Sequence, residues 1–349
     1  MDPDVGAVIA RDWKHLDEDD VRVRPGRGSR PRTRQRPAHE DAVEGLVVAV
    51  DRGRYRVLVR HSRRKQTAVT AMRARELGRK GVVVGDRVGL VGDTSGQPDA
   101  LARVVRVEPR TSVLRRTADD TEDVERVIVA NAEQLVIVTA LADPEPRIGM
   151  IDRCLVAARD AGMEALLCLT KADLASPEKL LSIYEPLGVR SFSTQRGGEL
   201  TGLRELLADR MSVLVGHSGV GKSTLVNALV PEADRAVGHV NAVTGRGRHT
   251  SSSALALELP EGGWIIDTPG VRSFGLAHIP PADLILGFPD LVEGSVRCPP
   301  QCSHLEEACA LDAWIASGHS SPERLESFRR LLTNRDETVR EDNRDETGA

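Results

Sequence analysis

The segment Gly216-His217-Ser218-Gly219-Val220-Gly221-Lys222-Ser223-Thr224 constrains this chain more than any other. Two glycines four residues apart, followed by Lys and Ser, form the pattern of a phosphate-binding loop. Glycines at 216, 219 and 221 let the backbone curl so that successive N–H groups point at phosphate oxygens. Lys222 is placed to reach β- and γ-phosphates, and the Ser223 hydroxyl to take one position on Mg²⁺. The flanks agree. Met211–Val215 reads as a short buried strand, and Lys222–Val230 as the helix whose N-terminus faces the anion. An α/β domain with a nucleoside-triphosphate site is therefore expected.

A chain of 349 residues exceeds one ordinary core, so two or three domains are expected. The net charge of −4 hides an asymmetry: seven Arg and no acid lie between Arg22 and Arg36, and eleven Lys or Arg against one acid between Arg52 and Lys80. Local basic surface on a near-neutral chain points to a nucleic-acid partner. The N-terminus lacks a basic-then-apolar leader and no apolar run approaches membrane length. A soluble, cytoplasmic, monomeric protein with no membrane partner is expected. Of five cysteines, three fall within Cys298–Cys309, together with His304. That grouping suits a metal site better than a disulfide framework, and Cys298, Cys302, His304 and Cys309 make a tetrahedral zinc set, one ion per chain.

Residues 1–42 lack hydrophobic periodicity and read as a disordered basic arm, either contacting RNA phosphates or simply solvated. Across 43–118, β-type runs at Gly45–Val50, Tyr55–Arg60, Thr67–Arg73, Arg87–Val91 and Ala102–Val107 are punctuated by glycines, which predicts a small barrel of the OB type. Arg60, Arg63, Arg64 and Lys65 crowd one loop of it as candidate RNA contacts, the plain alternative being a solvated charged face. Tyr55 is its only aromatic residue, so base stacking is not expected. Residues 119–277 read as α/β, with buried strands at Glu133–Leu141 and Glu164–Leu169 around a helix at Met150–Ala161. A mostly helical metal module is expected at 278–332, closed by a helix at Ser321–Leu332, and a charged tail at 333–349.

Further motifs narrow the nucleotide. Thr170-Lys171-Ala172-Asp173 follows a predicted strand. The Asp173 carboxylate would accept two bonds from guanine N1–H and N2–H₂, each worth roughly 1.5–3 kcal/mol, which adenine cannot supply. The Lys171 stem would lie across the base, and Ser193-Thr194 would offer a backbone N–H to guanine O6. In Asp267-Thr268-Pro269-Gly270, Asp267 would hold Mg²⁺ through water and the Gly270 N–H would sense the γ-phosphate. The polar loop Gly245–Ser253 carries Thr250 as a Mg²⁺ ligand and His249, its only side chain able to hold or deprotonate a water near neutral pH. Val271, after Gly270, has no polar atom for that task. The base motif precedes the phosphate loop, the reverse of the usual GTPase order. This is a circular permutation, and it leads the segment after Gly270 straight into the Cys/His module.

Barrel, permuted GTPase and Cys/His module in this order resemble the bacterial ribosome small-subunit-dependent GTPase A family. Ala130-Asn131, the phosphate loop, Gly247–Thr250 and Asp267–Leu276 carry the likeness, which spans roughly 43–332. The resemblance implies GTP hydrolysis to GDP, stimulated by the small ribosomal subunit late in its maturation, rRNA binding, and a catalytic role for His249. Two departures stand out. Thr170 occupies a position where the family has Asn, a shorter side chain expected to cost a bond to the base or to the phosphate loop. The outer gaps between metal ligands are one residue tighter. The competing reading is a non-catalytic RNA-binding module stabilised by nucleotide, to which Val271 lends support.

Overall fold

The computed structural model describes residues 39–333 except 52, 63–64, 78–80, 98, 118–124, 232–253, 269–278 and 307–308, all within the compact unit His39–Ala349. Five strands open the fold: β1 (Val43–Asp51), β2 (Arg54–Ser62), β3 (Lys65–Arg73), β4 (Arg87–Gly92) and β5 (Ala102–Val107). They pair in the order β1-β2-β3-β5-β4, and β4 returns to β1 through Val43↔Leu90. The β3–β5 pairing is parallel and the rest are antiparallel. Alternation does the filling: Tyr55, Val57 and Val59 of β2 point inward against Val47, Val69, Ala71, Val88, Leu90 and Val104. Small branched side chains suit the narrow interior of a five-stranded barrel.

Next, β6 (Val113–Thr117) and β7 (Glu125–Ala130) form an antiparallel pair outside the barrel sheet. The pair spans the expected boundary between 118 and 119 and joins the barrel to the α/β region. Gly85 lies at the seam with φ of +89°, and a Cβ built there would meet the Ala130 carbonyl oxygen at 1.9 Å. Asn131 seals it, accepting from the Thr111 N–H at 2.8 Å and donating from Nδ2 to the Gly85 carbonyl at 2.9 Å. Replacing Gly85→Ala therefore meets both a disfavoured φ and a backbone clash. We expect a loss of about 2–4 kcal/mol, read as a lowered denaturant midpoint.

The α/β region contains β8 (Gln134–Ala140), α1 (Ile148–Asp160), β9 (Glu164–Thr170), α2 (Glu178–Tyr184), β10 (Arg190–Ser193), α3 (Thr201–Leu207), β11 (Met211–Val215), α4 (Lys222–Leu229), β12 (Leu255–Glu258) and β13 (Trp264–Asp267). The strand order is β10-β9-β8-β11-β13-β12, parallel except for β12. β8 is buried along its whole length, as a central parallel strand must be. Leu135 and Ile137 face α1 and α2, while Val136 and Val138 face α3 and α4, so helices cover both sides. β12 also pairs with β1 at Ala49↔Leu255, which merges barrel and α/β region into one eleven-stranded sheet. From β12, Glu258 accepts from Gln66 of the barrel at 2.7 Å.

The chain closes with a 3₁₀ turn (Pro281–Gly287), α5 (Pro289–Ser295), α6 (Ala310–Ala316) and α7 (Pro322–Thr333). These pack on α1 through Leu284, Phe288, Phe328 and Leu331, with the Phe288 and Phe328 rings 5.2 Å apart. Asp152 of α1 is buried among them, accepting from Tyr184 Oη at 3.0 Å and from Ser327 Oγ. Burial raises its carboxyl pKa, and the Ser327 and Tyr184 bonds oppose that rise. No helix among the described residues is long and apolar enough to cross a membrane.

Candidate functional site

The phosphate loop leaves the C-terminal end of β11 and enters α4. Gly219 and Gly221 hold φ of +80° and +88°, and Gly221 caps the helix in the left-handed region. Gly216 answers a different need: a Cβ there would lie 2.5 Å from the Val138 carbonyl oxygen. Val220 is buried, whereas Ser218, Ser223 and Thr224 are exposed at the mouth. His217 Nδ1 lies 3.2 Å from the Ser218 carbonyl, which fits a proton on that nitrogen.

The other motifs meet this loop at the same edge of the sheet. β13 lies parallel to β11, pairing Leu214 with Asp267, and brings the Asp267 carboxylate onto Lys222 Nζ. Thr268 is buried and donates to the Leu214 carbonyl at 3.0 Å, pinning the end of β13 to the strand before the phosphate loop. The motif pattern alone assigns Thr268 no role; its place beside a carboxylate at a strand end is the available signal.

At the end of β9, Thr170 donates from Oγ1 to the Val220 carbonyl at 2.6 Å. The threonine thus keeps the bond to the phosphate loop, one of the two the shorter side chain put at stake. Lys171 follows with φ of +57°, and its Nζ donates to the Asp143 carbonyl. Asp173 is exposed beside it. Ser193 ends β10, and the Ala172 N–H donates to the Thr194 carbonyl at 3.1 Å, so both segments share one corner. The Thr194 N–H is already given to the Leu169 carbonyl at 2.8 Å. His249, Thr250 and Gly270 lie outside the described residues, as do Arg63 and Arg64, most of the basic arm and most of the tail.

Arg60 and Lys65 are exposed near the tip of the β2–β3 hairpin, and Arg60 lies 3.7 Å from Glu258. Away from both regions, the donor atoms of Cys298, Cys302, His304 and Cys309 all lie within 4.8 Å of one another. Cys309 Sγ is 3.7 Å from Cys298 Sγ and 3.9 Å from Cys302 Sγ, and His304 Nδ1 is 3.6 Å from the thiols of Cys298 and Cys309. A tetrahedral zinc has edges of about 3.8 Å between sulfurs and about 3.5 Å between sulfur and nitrogen, so these four edges match that ion's set. Burial holds the His304 imidazole below its ordinary pKa, in the neutral form a ligand needs. Arg329 of α7 supports the loop, donating to the His304 carbonyl at 2.8 Å and to both oxygens of Asp312. Cys154 and Cys168 are different in kind: burial pushes each thiol up to about 12, which leaves them inert in the core.

Fold and site together define a P-loop GTPase of circularly permuted order, with a five-stranded barrel before it and a Cys₃His helical module after it. The chain belongs to the RsgA GTPase family, whose family model matches residues 107–277. A Chlorobaculum parvum protein named small ribosomal subunit biogenesis GTPase RsgA is 38% identical over 267 residues, covering 73% of this chain and 86% of that protein. A Pseudomonas syringae protein of the same name is 40% identical over 263 residues, covering 72% and 74%. Among solved structures, YjeQ from Thermotoga maritima matches with a TM-score of 0.65 at 23% identity, over 85% of this chain and 99% of that one. YloQ, described as a circularly permuted GTPase, gives 0.65 and 23% over 86% and 97%. These two support the fold.

Proposed function

We propose that this chain hydrolyses GTP to GDP and phosphate in the cytoplasm as a monomeric assembly factor, coupling hydrolysis to late maturation of the small ribosomal subunit. One observation carries the reading. Motifs far apart in sequence, at Thr170–Asp173, Gly216–Thr224 and Asp267, converge at the C-terminal ends of β9, β11 and β13. The names of the curated relatives supply the subunit.

In this reading the backbone N–H groups of Gly216–Thr224 cradle the phosphates, and Lys222 turns from Asp267 to the β- and γ-oxygens. Ser223, Thr250 and Asp267 would hold Mg²⁺, which would supply charge neutralisation at the phosphates. Asp173 accepts from the guanine edge and Lys171 covers the base, while at the Ser193-Thr194 corner the Thr194 N–H is spent on Leu169 and O6 falls to Ser193. Thr170 serves this indirectly by tying the base-reading corner to the loop. His249 orients the water, and the Gly270 N–H senses the γ-phosphate. Zinc, held by Cys298, Cys302, His304 and Cys309, closes the C-terminal module. Arg60, Arg63, Arg64 and Lys65 contact rRNA phosphates.

The test is phosphate release from GTP and from ATP, each with and without purified small subunits. Release should favour GTP and rise with subunits; equal rates on both nucleotides would overturn the base assignment. Asp173→Asn should weaken GTP and GDP binding about 10- to 100-fold through the lost charge-assisted bonds, and improve relative binding of xanthine nucleotides. Unchanged guanine selectivity in that variant would remove Asp173 from the site.

A further inference from the structure

A second basic feature lies at the opposite end of the sheet from the phosphate loop. Glu164 opens β9, Arg190 opens β10 and Arg210 immediately precedes β11, so all three sit at strand starts. With Arg159 near the end of α1 and Arg324 of α7 they line an open groove of about 910 Å³. Its apolar wall includes Leu155, Met163 and Val189, and its far side is formed by Gly287, Pro289 and Arg324 of the C-terminal elements. Four guanidinium groups thus line the groove with Glu164 as its one acidic lining residue. Glu164 engages Arg190 and Arg210 each through one terminal nitrogen, which leaves other donors of both guanidinium groups for a ligand. Arg159 is exposed and has no carboxylate partner among the described residues.

Arg324 is the unusual member. It is 4% exposed, over the Phe288 ring at 4.3 Å, and its Nε has no hydrogen-bond partner among the described residues. Its terminal nitrogen makes only long bonds, 3.5 Å to the Gly287 carbonyl and 3.4 Å to Asp290 Oδ1. Asp290 and the buried Asp152 offset part of its charge, while the Nε donor stays unmatched. Guanidinium forks match phosphate oxygens, and their planes also stack on unpaired bases. An apolar wall beside them offers a dry face to a splayed-out nucleoside.

We propose that this groove seats a phosphodiester segment of single-stranded RNA, clamped between the GTPase core and the zinc module. Under the function proposed above, on which the source of the strand rests, that RNA belongs to the small ribosomal subunit. This contact is separate from the β2–β3 hairpin of the barrel and from the nucleotide site. An RNA strand held there touches both walls, so its binding depends on how the zinc module sits against α1.

The test uses the full-length chain with benzoylphenylalanine in place of Arg159, photo-crosslinked to purified small subunits and to a protein-free mixed-sequence RNA oligonucleotide. In parallel, Arg159→Glu is titrated with both partners over a range of salt, and Arg159→Lys serves as the conservative control. We expect crosslinks to RNA in both cases. Arg159→Glu should bind at least tenfold more weakly, with a salt slope lower by about one, while Arg159→Lys and the GTP affinity of the free protein stay near wild type. Crosslinks only to ribosomal protein, or an unchanged slope in Arg159→Glu, would overturn the groove as an RNA site. If wild type fails to bind subunits but the benzoylphenylalanine variant crosslinks the oligonucleotide, the groove stands and the subunit reading falls.

Discussion

His249→Ala should keep nucleotide and subunit binding and lose about 10²- to 10⁴-fold in turnover, the range for removing a positioned proton acceptor. The described strands support the expectation from one side. β12 begins at Leu255, which pairs directly with Asp267, and Asp267 touches Lys222. His249 is six residues upstream of that fixed point, and an extended chain covers roughly 3.3–3.6 Å per residue. A chain of six residues spans at most about 20 Å from Leu255. Val271 leaves the water-orienting task unfilled on the other side. Single-turnover GTP hydrolysis on saturating subunits decides the matter: a wild-type rate would remove His249 from catalysis. Retained hydrolysis with weakened subunit binding would move it to the RNA interface.

Removing the metal should have the larger structural effect. The short helices α5 and α6 have seven residues each and no side-chain cap, so neither is stable alone. The loop between them holds His304 and Gln301 in left-handed conformations, at φ of +62° and +67°. A fourfold ligand set can compensate for such a backbone in so small a module, and structural zinc contributes about 10–16 kcal/mol in comparable peptides at neutral pH. Cys302→Ser, or a strong chelator, should abolish bound zinc. Hydrogen-exchange protection should then fall across residues 289–316 while the α/β sheet stays protected. Wild-type protein with no zinc by elemental analysis would defeat the expectation.

Strands that bury one or both faces are legible from sequence, because their side chains carry a period or an unbroken apolar run. Met211–Val215 has the same bounds in sequence and structure, and all five barrel strands fall where alternation puts them. The pair β6–β7 is not legible in this way; Val113-Leu114-Arg115-Arg116-Thr117 is too charged and short to show a pattern. Helices α2, α3, α5 and α6 start after Pro177, Leu200, Phe288 and Cys309, none of which makes a side-chain cap bond. They therefore lack the signal that marks a helix start. Motif chemistry is readable, yet partners are not. Nothing in the order of residues says that Thr170 would choose the Val220 carbonyl, that Thr194 would spend its N–H on Leu169, or that Asn131 would bridge Thr111 and Gly85. The groove of Arg159, Arg190, Arg210 and Arg324 is hidden for the same reason, its members being scattered along the chain.

The pairing of Ala49 with Leu255 also bears on how this protein can be taken apart. β12 is the outermost strand of the nucleotide-binding half, and its unpaired backbone groups would be open to any passing chain if the barrel were cut away. The barrel is thus a lid on a sticky border. It shields the strand that pairs directly with the one carrying Asp267.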